Sequence, residues 1–251
     1  MLLNNFFFLF IIGAVIGSFL NVCIYRLPKN LDIVSKRSFC PRCKKKIKWF
    51  DNIPLISFLI LKFKCRFCKK YISTQYFWVE LLSALFLSTA LSFTANFLEL
   101  ILLSLIFYIF IVIFVIDVKY YIIPDSLNFS LILIGILKNF LPATLLNLNQ
   151  DMFQSLIGGA VGYLLIWIII FLYKKIKNVE AMGLGDAKLL SGLGFIFGLK
   201  SIFVILFTAS ILGLLYSIPK LLKGKSSLKT AIPFGPFLII GTVIYYFYLS
   251  V

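Results

Sequence analysis

The chain carries the sequence LILLSLIFYIFIVIFVI at residues 100–116, and Asp117 follows it directly. This run is uncharged and approaches the roughly 20 apolar residues that a helix needs to cross a bilayer. Hydrophobic residues make up 61% of the 251 positions and charged residues 14%, whereas soluble domains are about half apolar and a quarter charged. The run therefore predicts a membrane-spanning helix in a membrane protein.

Seven further apolar runs have the same character: 1–25, 81–98, 126–137, 152–173, 189–199, 201–219 and 230–251. The short run 126–137 continues apolar beyond Lys138 to about residue 146. Joining 189–199 to 201–219 would put Lys200 near the bilayer centre at high cost, so we expect two helices with Lys200 at their turn. The pattern predicts an all-α polytopic membrane protein with about eight transmembrane helices.

The net charge of +16 is concentrated, because fourteen of the 25 Lys and Arg residues lie in 26–70. Cytoplasmic loops are enriched in Lys and Arg, so this segment is predicted inside and the N-terminus outside. Eight spans then place later basic residues, including Lys223, Lys225 and Lys229, inside, and only Lys138 and Lys200 outside. The charge indicates membrane topology and attraction to anionic lipid headgroups, not nucleic-acid binding. Since residues 1–5 carry no positive side chain, 1–25 is predicted to be an uncleaved helix and not a signal peptide.

Four of the five cysteines form two CxxC pairs, Cys40 with Cys43 and Cys65 with Cys68. Two such pairs can complete a closed, tetrahedral zinc site, which would be structural because no position remains for water. The predicted reducing compartment disfavours disulfides. Two disulfides or four free thiols are the alternatives to a zinc-ribbon-like cytoplasmic module at 26–77.

Among nine acidic residues, Asp117 and Asp186 lie at the predicted cytoplasmic ends of spans. Ionisable groups at that depth are costly and mark candidate functional sites. Two carboxyl groups at one depth can share a proton, one acting as general base and the other as general acid. The chain has no His, which excludes Ser-His and Cys-His triads. The alternatives are that Asp186 caps a helix and that Asp117 only ends a span.

Four residues near these acids are candidates for supporting roles. Asp125 follows Pro124 and precedes Ser126, a pattern that favours a helix N-cap over chemistry. Gly183 and Gly185 are expected to adopt positive φ and to let a peptide approach Asp186 closely. Lys188, like Lys119, either holds one acid ionised or anchors the chain at the interface.

Several sequence blocks carry a resemblance to a known family. They are GSFLNVCIYRLP at 17–28, the four-cysteine module running through DNIP at 51–54 to Glu80, DVKYYIIPD at 117–125 and GLGDAKL at 183–189. In this order they resemble the bacterial type IV prepilin peptidases, members of the GxGD group of membrane aspartyl proteases. The resemblance implies that Asp117 and Asp186 are catalytic.

The resemblance also implies the reaction and its location. Such enzymes face the cytoplasm from the bacterial inner membrane. They cut a short basic leader from prepilins or type II secretion pseudopilins, between a Gly and usually a Phe. They then methylate the new N-terminus with S-adenosylmethionine. Asn21, Arg26 and Glu80 match motif positions in the region associated with methylation, whereas a helix-end cap, an interfacial anchor and a span-end acid are their structural alternatives.

The predicted organisation is a first transmembrane helix at 1–25, the module at 26–77 and a seven-helix peptidase domain at 78–251. Two other functions stand beside the bifunctional enzyme: a peptidase without methyltransferase activity, and a non-catalytic zinc-ribbon membrane adaptor. A transporter is disfavoured because no inverted repeat is visible and the acids lie near one face. The sequence gives no indication of the oligomeric state.

Overall fold

The structure, a computed structural model, describes residues 2–34, 37–94, 96–140, 151–177, 182–222 and 232–249. Within these ranges the regular elements are helical, apart from two isolated β-bridges, Phe39 with Lys46 and Lys64 with Tyr71. The predicted all-α class is confirmed. The apolar continuation to residue 146 and the predicted inside positions of Lys223, Lys225 and Lys229 lie outside the described residues.

The described residues form eight α-helices in chain order. They are α1 (Leu2–Arg26), α2 (Ile56–Ile60), α3 (Gln75–Ala90), α4 (Phe97–Tyr120), α5 (Asp125–Lys138), α6 (Met152–Lys177), α7 (Leu184–Leu222) and α8 (Gly235–Leu249). Two 3₁₀ turns, Leu27–Lys29 and Trp49–Asn52, belong to the segment between α1 and α3.

Four stretches of the described chain are helical, long and apolar enough to cross a membrane, and they fall on α1, α4, α6 and α7. The protein is therefore an integral membrane protein of helical type. The helices α3, α5 and α8 have 16, 14 and 15 residues, and at 1.5 Å per residue each is shorter than a hydrocarbon core of roughly 30 Å. These lengths do not confirm the expected count of eight transmembrane helices.

The predicted span 81–98 is displaced, since α3 begins at Gln75 and ends at Ala90. Hydroxyl groups just after this helix satisfy carbonyls of its last turn. Ser92 Oγ donates to Thr89 O at 2.6 Å, and Thr94 Oγ1 donates to Ala90 O at 3.0 Å. Such local hydrogen bonds compete with helix continuation, so the apolar run is divided before α4.

The helix α7 contains a break at Gly198, whose φ of 77° and ψ of −178° are not helical. This backbone conformation is essentially restricted to glycine. The expected turn therefore occurs two residues before Lys200. Side chains serve the carbonyls at the break: Ser155 Oγ donates to Phe195 O and Lys138 Nζ to Ile196 O, each at 2.5 Å.

The chain forms two compact units, Met1–Val112 and Ile113–Val251. In the first unit α1 packs on α3, and in the second α7 packs on α5, α6 and α8. Glycines allow the closest approaches: Gly17 of α1 lies against Glu80 of α3, and Gly158 of α6 lies against Gly194 of α7. The predicted organisation into 1–25, 26–77 and 78–251 stays a prediction.

Candidate active site and metal centre

The four predicted metal ligands lie together in the first unit. The Sγ atoms of Cys40, Cys43, Cys65 and Cys68 all lie within 4.8 Å of one another. None of these cysteines forms a disulfide. A tetrahedral site with metal–sulfur bonds of about 2.3 Å separates its sulfurs by about 3.8 Å. The cluster therefore fits a metal ion with small movements of the side chains.

The two CxxC pairs have the same backbone geometry. Lys44 N–H donates to Cys40 O at 2.8 Å, and Lys69 N–H donates to Cys65 O at 3.0 Å. Both lysines have positive φ, 57° and 55°, so each segment turns sharply after its second cysteine. An isolated β-bridge also lies beside each CxxC pair. The matching turns direct both pairs of thiols towards one point.

Backbone N–H groups also influence the ionisation of the thiols. Burial alone would raise the pKa of the Cys65 thiol, but hydrogen bonds from the N–H groups of Cys68 and Phe67 and from neighbouring thiols lower it to about 7. The N–H of Lys45 would lower the pKa of Cys43, but desolvation and hydrogen bonds with Cys40 and Cys68 raise it to about 11. One thiol thus releases its proton readily while its neighbour holds one, as expected of thiols that share a site.

The three residues expected to serve methyl transfer are buried and have partners within the protein. Asn21, Arg26 and Glu80 are 2%, 3% and 8% exposed. Asn21 Nδ2 donates to Tyr76 O at 3.0 Å, which joins α1 to α3. Arg26 Nη1 donates to Asp32 O at 2.8 Å and so fixes the chain that follows α1.

The carboxylate of Glu80 receives hydrogen bonds from Leu55 N–H, at 2.8 Å, and from Ser18. Glu80 therefore joins both α1 and the segment before α2 to α3. These hydrogen bonds hold α1, α3 and the segment between them together. The expected role of Asn21, Arg26 and Glu80 in methyl transfer stays a prediction.

The second unit contains both candidate catalytic acids. Asp117 lies one turn from the end of α4 and is 4% exposed, and Asp186 lies in the first turn of α7 and is 9% exposed. Ile123 lies next to Gly235, which contacts Asp117, and next to Gly185, which precedes Asp186. The two acids therefore belong to one site, where their carboxyl groups interact electrostatically. The Asp186 N–H donates to Gly183 O at 3.1 Å, which closes the GLGD turn.

A residue that the sequence did not indicate, Gly235, holds the Asp117 carboxylate. Its backbone N–H donates to Asp117 Oδ2 at 2.9 Å. Gly235 is the first residue of α8, and the first N–H groups of a helix lack partners within that helix. A Cβ at this position would lie 2.8 Å from Asp117 Oδ2. Only glycine therefore lets the start of α8 approach the acid so closely.

Ile123 lies between Gly235, which contacts Asp117, and Gly185, which precedes Asp186. A Cβ at Gly235 would lie 3.1 Å from Ile123 Cδ1, and a Cβ at Gly185 would lie 3.2 Å from Ile123 Cβ. The expectation of positive φ at Gly183 and Gly185 is wrong, since Gly198 is the glycine with positive φ among those described. Gly185 instead provides close approach to Ile123, whereas a Cβ at Gly183 would meet Asp186 Oδ2 only at 3.8 Å.

The remaining supporting residues pair with each other beside the site. Lys188 Nζ lies 2.7 Å from Asp125 Oδ1, and both side chains are partly exposed. The expected N-cap role of Asp125 is wrong, because Pro124 occupies the N-cap with φ −61° and ψ 131°, and Asp125 is the first helical residue. The ion pair joins α5 to α7. The sequence did not indicate Asn128, whose Nδ2 donates to Gly185 O at 3.4 Å.

Two buried, neighbouring carboxyl groups can divide the work of hydrolysing an amide. One ionised carboxylate removes a proton from water while its protonated partner donates to the carbonyl oxygen. The positive end of α8 favours negative charge on Asp117, as the positive end of α7 does on Asp186. We take Asp117 as the ionised partner, because its carboxylate also accepts the Gly235 N–H at 2.9 Å.

Comparison with known proteins agrees with this chemistry. Residues 11–94 match the model of the bacterial peptidase A24 N-terminal domain, and residues 104–218 match that of the type IV leader peptidase family. Together with the helical membrane fold, these matches define a membrane-embedded peptidase.

Relatives over nearly the whole chain make the assignment more specific. The chain is 32% identical over 245 residues to a Vibrio cholerae protein, covering 94% of each. It is 36% identical over 264 residues to a protein of Dichelobacter nodosus, covering 94% of this chain and 88% of that one. Both are named prepilin leader peptidase/N-methyltransferase. The chain belongs to the type IV leader peptidase family, which confirms the resemblance found in its motifs. No solved structure matches.

Proposed function

We propose that this chain removes the leader from type IV prepilins or type II secretion pseudopilins and methylates the new N-terminus. The names of its relatives support both activities. The observation that carries the peptidase assignment is the pair of neighbouring buried acids, Asp117 and Asp186, with the Gly235 N–H on one of them. We further propose a bacterial inner-membrane protein with eight spans, its N-terminus outside and its active site towards the cytoplasm.

In the proposed reaction, the Asp117 carboxylate takes a proton from a water molecule, whose oxygen attacks the scissile carbonyl carbon. Asp186 donates its proton to the carbonyl oxygen, so the tetrahedral intermediate carries two hydroxyl groups. When it collapses, the C–N bond breaks, Asp117 passes its proton to the departing amine, and Asp186 takes back a hydroxyl proton, which restores the acid pair. The pH profile of cleavage is then a property of the pair.

The cofactors of the proposed function belong to the methylating part of the chain. We propose zinc for the four-cysteine cluster, since four cysteine thiols within 4.8 Å of one another favour it. S-adenosylmethionine supplies the methyl group that the new N-terminal amine receives. The basic segment 26–70 favours contact with anionic lipid headgroups.

The chain should be co-expressed with a candidate prepilin, and leader removal followed by mass spectrometry. We expect Asp117→Asn and Asp186→Asn each to slow cleavage by about 10²–10⁴-fold, the usual contribution of a general acid or base. Asp151→Asn is the control, because Asp151 is exposed at the start of α6. Normal cleavage by either variant of the pair would refute the peptidase mechanism and favour the adaptor.

Labelled S-adenosylmethionine in the same assay separates the two enzymatic alternatives. We expect label on the cleaved product and none on uncleaved prepilin. A cleaved but unlabelled product would show a peptidase without methyltransferase activity.

A further inference from the structure

The short helix α2 exposes an apolar face. Ile56, Leu59 and Ile60 are 56%, 55% and 70% exposed, although together they make up most of this five-residue helix. Single apolar residues on a surface are common, but several side by side mark a contact with another molecule or with lipid.

This exposure belongs to a fixed conformation. On the opposite side of α2, Phe58 is buried, and its ring centroid lies 4.6 Å from that of Phe63 and 5.8 Å from that of Phe77. Non-glycine residues with positive φ stand before and after the helix: Leu55 at 60°, and Lys62 and Phe63 at 47° and 60°. Such conformations are costly and persist only where surrounding contacts impose them. The protein therefore holds the apolar face of α2 outward.

The position of α2 along its neighbours indicates what the face meets. The N–H of Leu55, the residue before α2, donates to the Glu80 carboxylate, and so does Ser18 of α1. Ser18 lies eight residues before Arg26 at the end of α1, which is roughly 12 Å along the helix axis. The start of α2 is therefore beside the α1–α3 pair, at a level inside the ends of these helices. With α1 inserted in a bilayer up to Arg26, this level would fall among the lipid headgroups and upper acyl chains.

The charge of the residues that flank α2 in the sequence indicates which molecules can contact its apolar face. Exposed lysines precede and follow α2 in the sequence: Lys48 before it, and Lys62, Lys64, Lys69 and Lys70 after it. Apolar side chains flanked in the sequence by lysines are typical of segments that lie in the interface of an anionic bilayer. A basic peptide would be repelled by the same lysines.

We propose that α2 is a membrane wedge, with Ile56, Leu59 and Ile60 inserted among the upper acyl chains and the lysines on anionic headgroups. This deepens the lipid contact of the proposed function by assigning the residues that make it. It depends on the membrane position of α1 and α3 and on no step of catalysis. The wedge would fix the metal cluster at the membrane surface.

The wedge can be tested by the depth of a single tryptophan. Trp49, Trp78 and Trp167 are replaced by Phe, and Ile60→Trp is added in one protein and Arg42→Trp, on the first CxxC turn, in the other. Each is reconstituted in vesicles of plain lipid and of lipid brominated on the acyl chains. We expect bromine to reduce the emission of the Ile60→Trp protein by roughly half and to leave the Arg42→Trp protein nearly unchanged.

Equal quenching of the two proteins, or none in either, would overturn the wedge. Leu59→Trp gives a second test on the same face if the first variant loses its metal. Raising the anionic fraction of the vesicles should increase quenching, and an unchanged value would overturn the role assigned to the lysines. The leader-removal assay is scored separately, so failure of the wedge leaves the peptidase assignment intact.

Discussion

The cysteine cluster and the aspartate pair differ in how far apart in the chain their members lie. The cluster uses residues 40–68, and each half is shaped by hydrogen bonds that span four residues. The acid site joins α4, α7 and α8, and its key hydrogen bond, from Gly235 to Asp117, crosses 118 residues. The geometry of the cysteine cluster should therefore depend most on a bound metal ion. The geometry of the aspartate pair should depend most on how closely α4, α7 and α8 approach one another.

The largest expected effect is on the local site. Cys40→Ser or Cys65→Ser removes one thiolate ligand, and structural zinc sites contribute about 10–16 kcal/mol to the folding of small domains. We expect the variants to lose bound metal and methylation, with a smaller loss of leader removal. Metal content and both activities of the purified protein measure this.

Cys23→Ser is the matched control, because Cys23 lies in α1 and outside the cluster. It should retain its metal. Full metal content in the Cys65→Ser protein, or equal and immediate loss of both activities on chelation, would contradict a purely structural role for the ion.

A smaller but still large effect is expected where α8 approaches Asp117. Gly235→Ala places a methyl group 2.8 Å from Asp117 Oδ2, so the carboxylate must move or lose its hydrogen bond. Displacements of this kind cost on the order of 100-fold in rate. We expect cleavage to fall by that factor while metal content stays unchanged.

Gly213→Ala provides the control, since its Cβ would meet only the ring of Phe237, at 3.7 Å. This variant should cleave like the wild type. If Gly235→Ala also cleaves normally, the hydrogen bond to Asp117 has no role in catalysis.

Asn128 offers an intermediate test of the link between α5 and the GLGD turn. Asn128 is fully buried and donates to Gly185 O, and removing such a group costs about 1–3 kcal/mol. We expect Asn128→Ala to lower thermal stability in detergent by this amount and to slow cleavage less than Gly235→Ala does. Ser130→Ala, which alters an exposed hydroxyl on the same helix, should change neither. If the Asn128→Ala protein is as stable as wild type, the hydrogen bond from Asn128 to Gly185 does not stabilise the site.

The smallest effect concerns an ion pair in the metal module. Arg66 forms a two-pronged contact with Asp51, and these hydrogen bonds lower the pKa of the Asp51 carboxyl. The resulting stabilisation is fully present above the ordinary Asp pKa of about 3.9, and it is lost as the pH falls through the lower pKa of the folded state.

The Asp51→Asn protein should therefore be slightly less stable than wild type at neutral pH, and the difference should disappear in acid. Thermal unfolding at several pH values measures it, and comparing the two proteins at each pH cancels effects of acid on the metal ligands. A difference that grows towards low pH would contradict the assigned pair.

Local features were the ones that the sequence predicted well. The CxxC spacing predicted the cluster, because each pair needs only its own turn to direct two thiols to one point. Asp117 and Asp186 were indicated by acids at the ends of apolar runs and by the family motifs. The sequence did not indicate Gly235, Ile123 or Asn128, because their contacts depend on helix packing over long separations.

The errors have local physical causes. Asp125 was expected to cap a helix, but Pro124, with its fixed φ, occupies that position and leaves Asp125 to pair with Lys188. Gly183 and Gly185 were expected to have positive φ, yet the helix already begins at Leu184. The glycine that does break a helix, Gly198, lies two residues before Lys200, where the turn was expected.

The break at Gly198 has a consequence for the order in which the protein is assembled. The carbonyls of Phe195 and Ile196 accept hydrogen bonds from Ser155 of α6 and Lys138 of α5, and a buried carbonyl left without a donor is costly. Both helices precede α7 in the chain, so the ribosome makes each donor before its acceptor. The half of α7 that bears Asp186 can thus enter the membrane when the donors from α5 and α6 are already present.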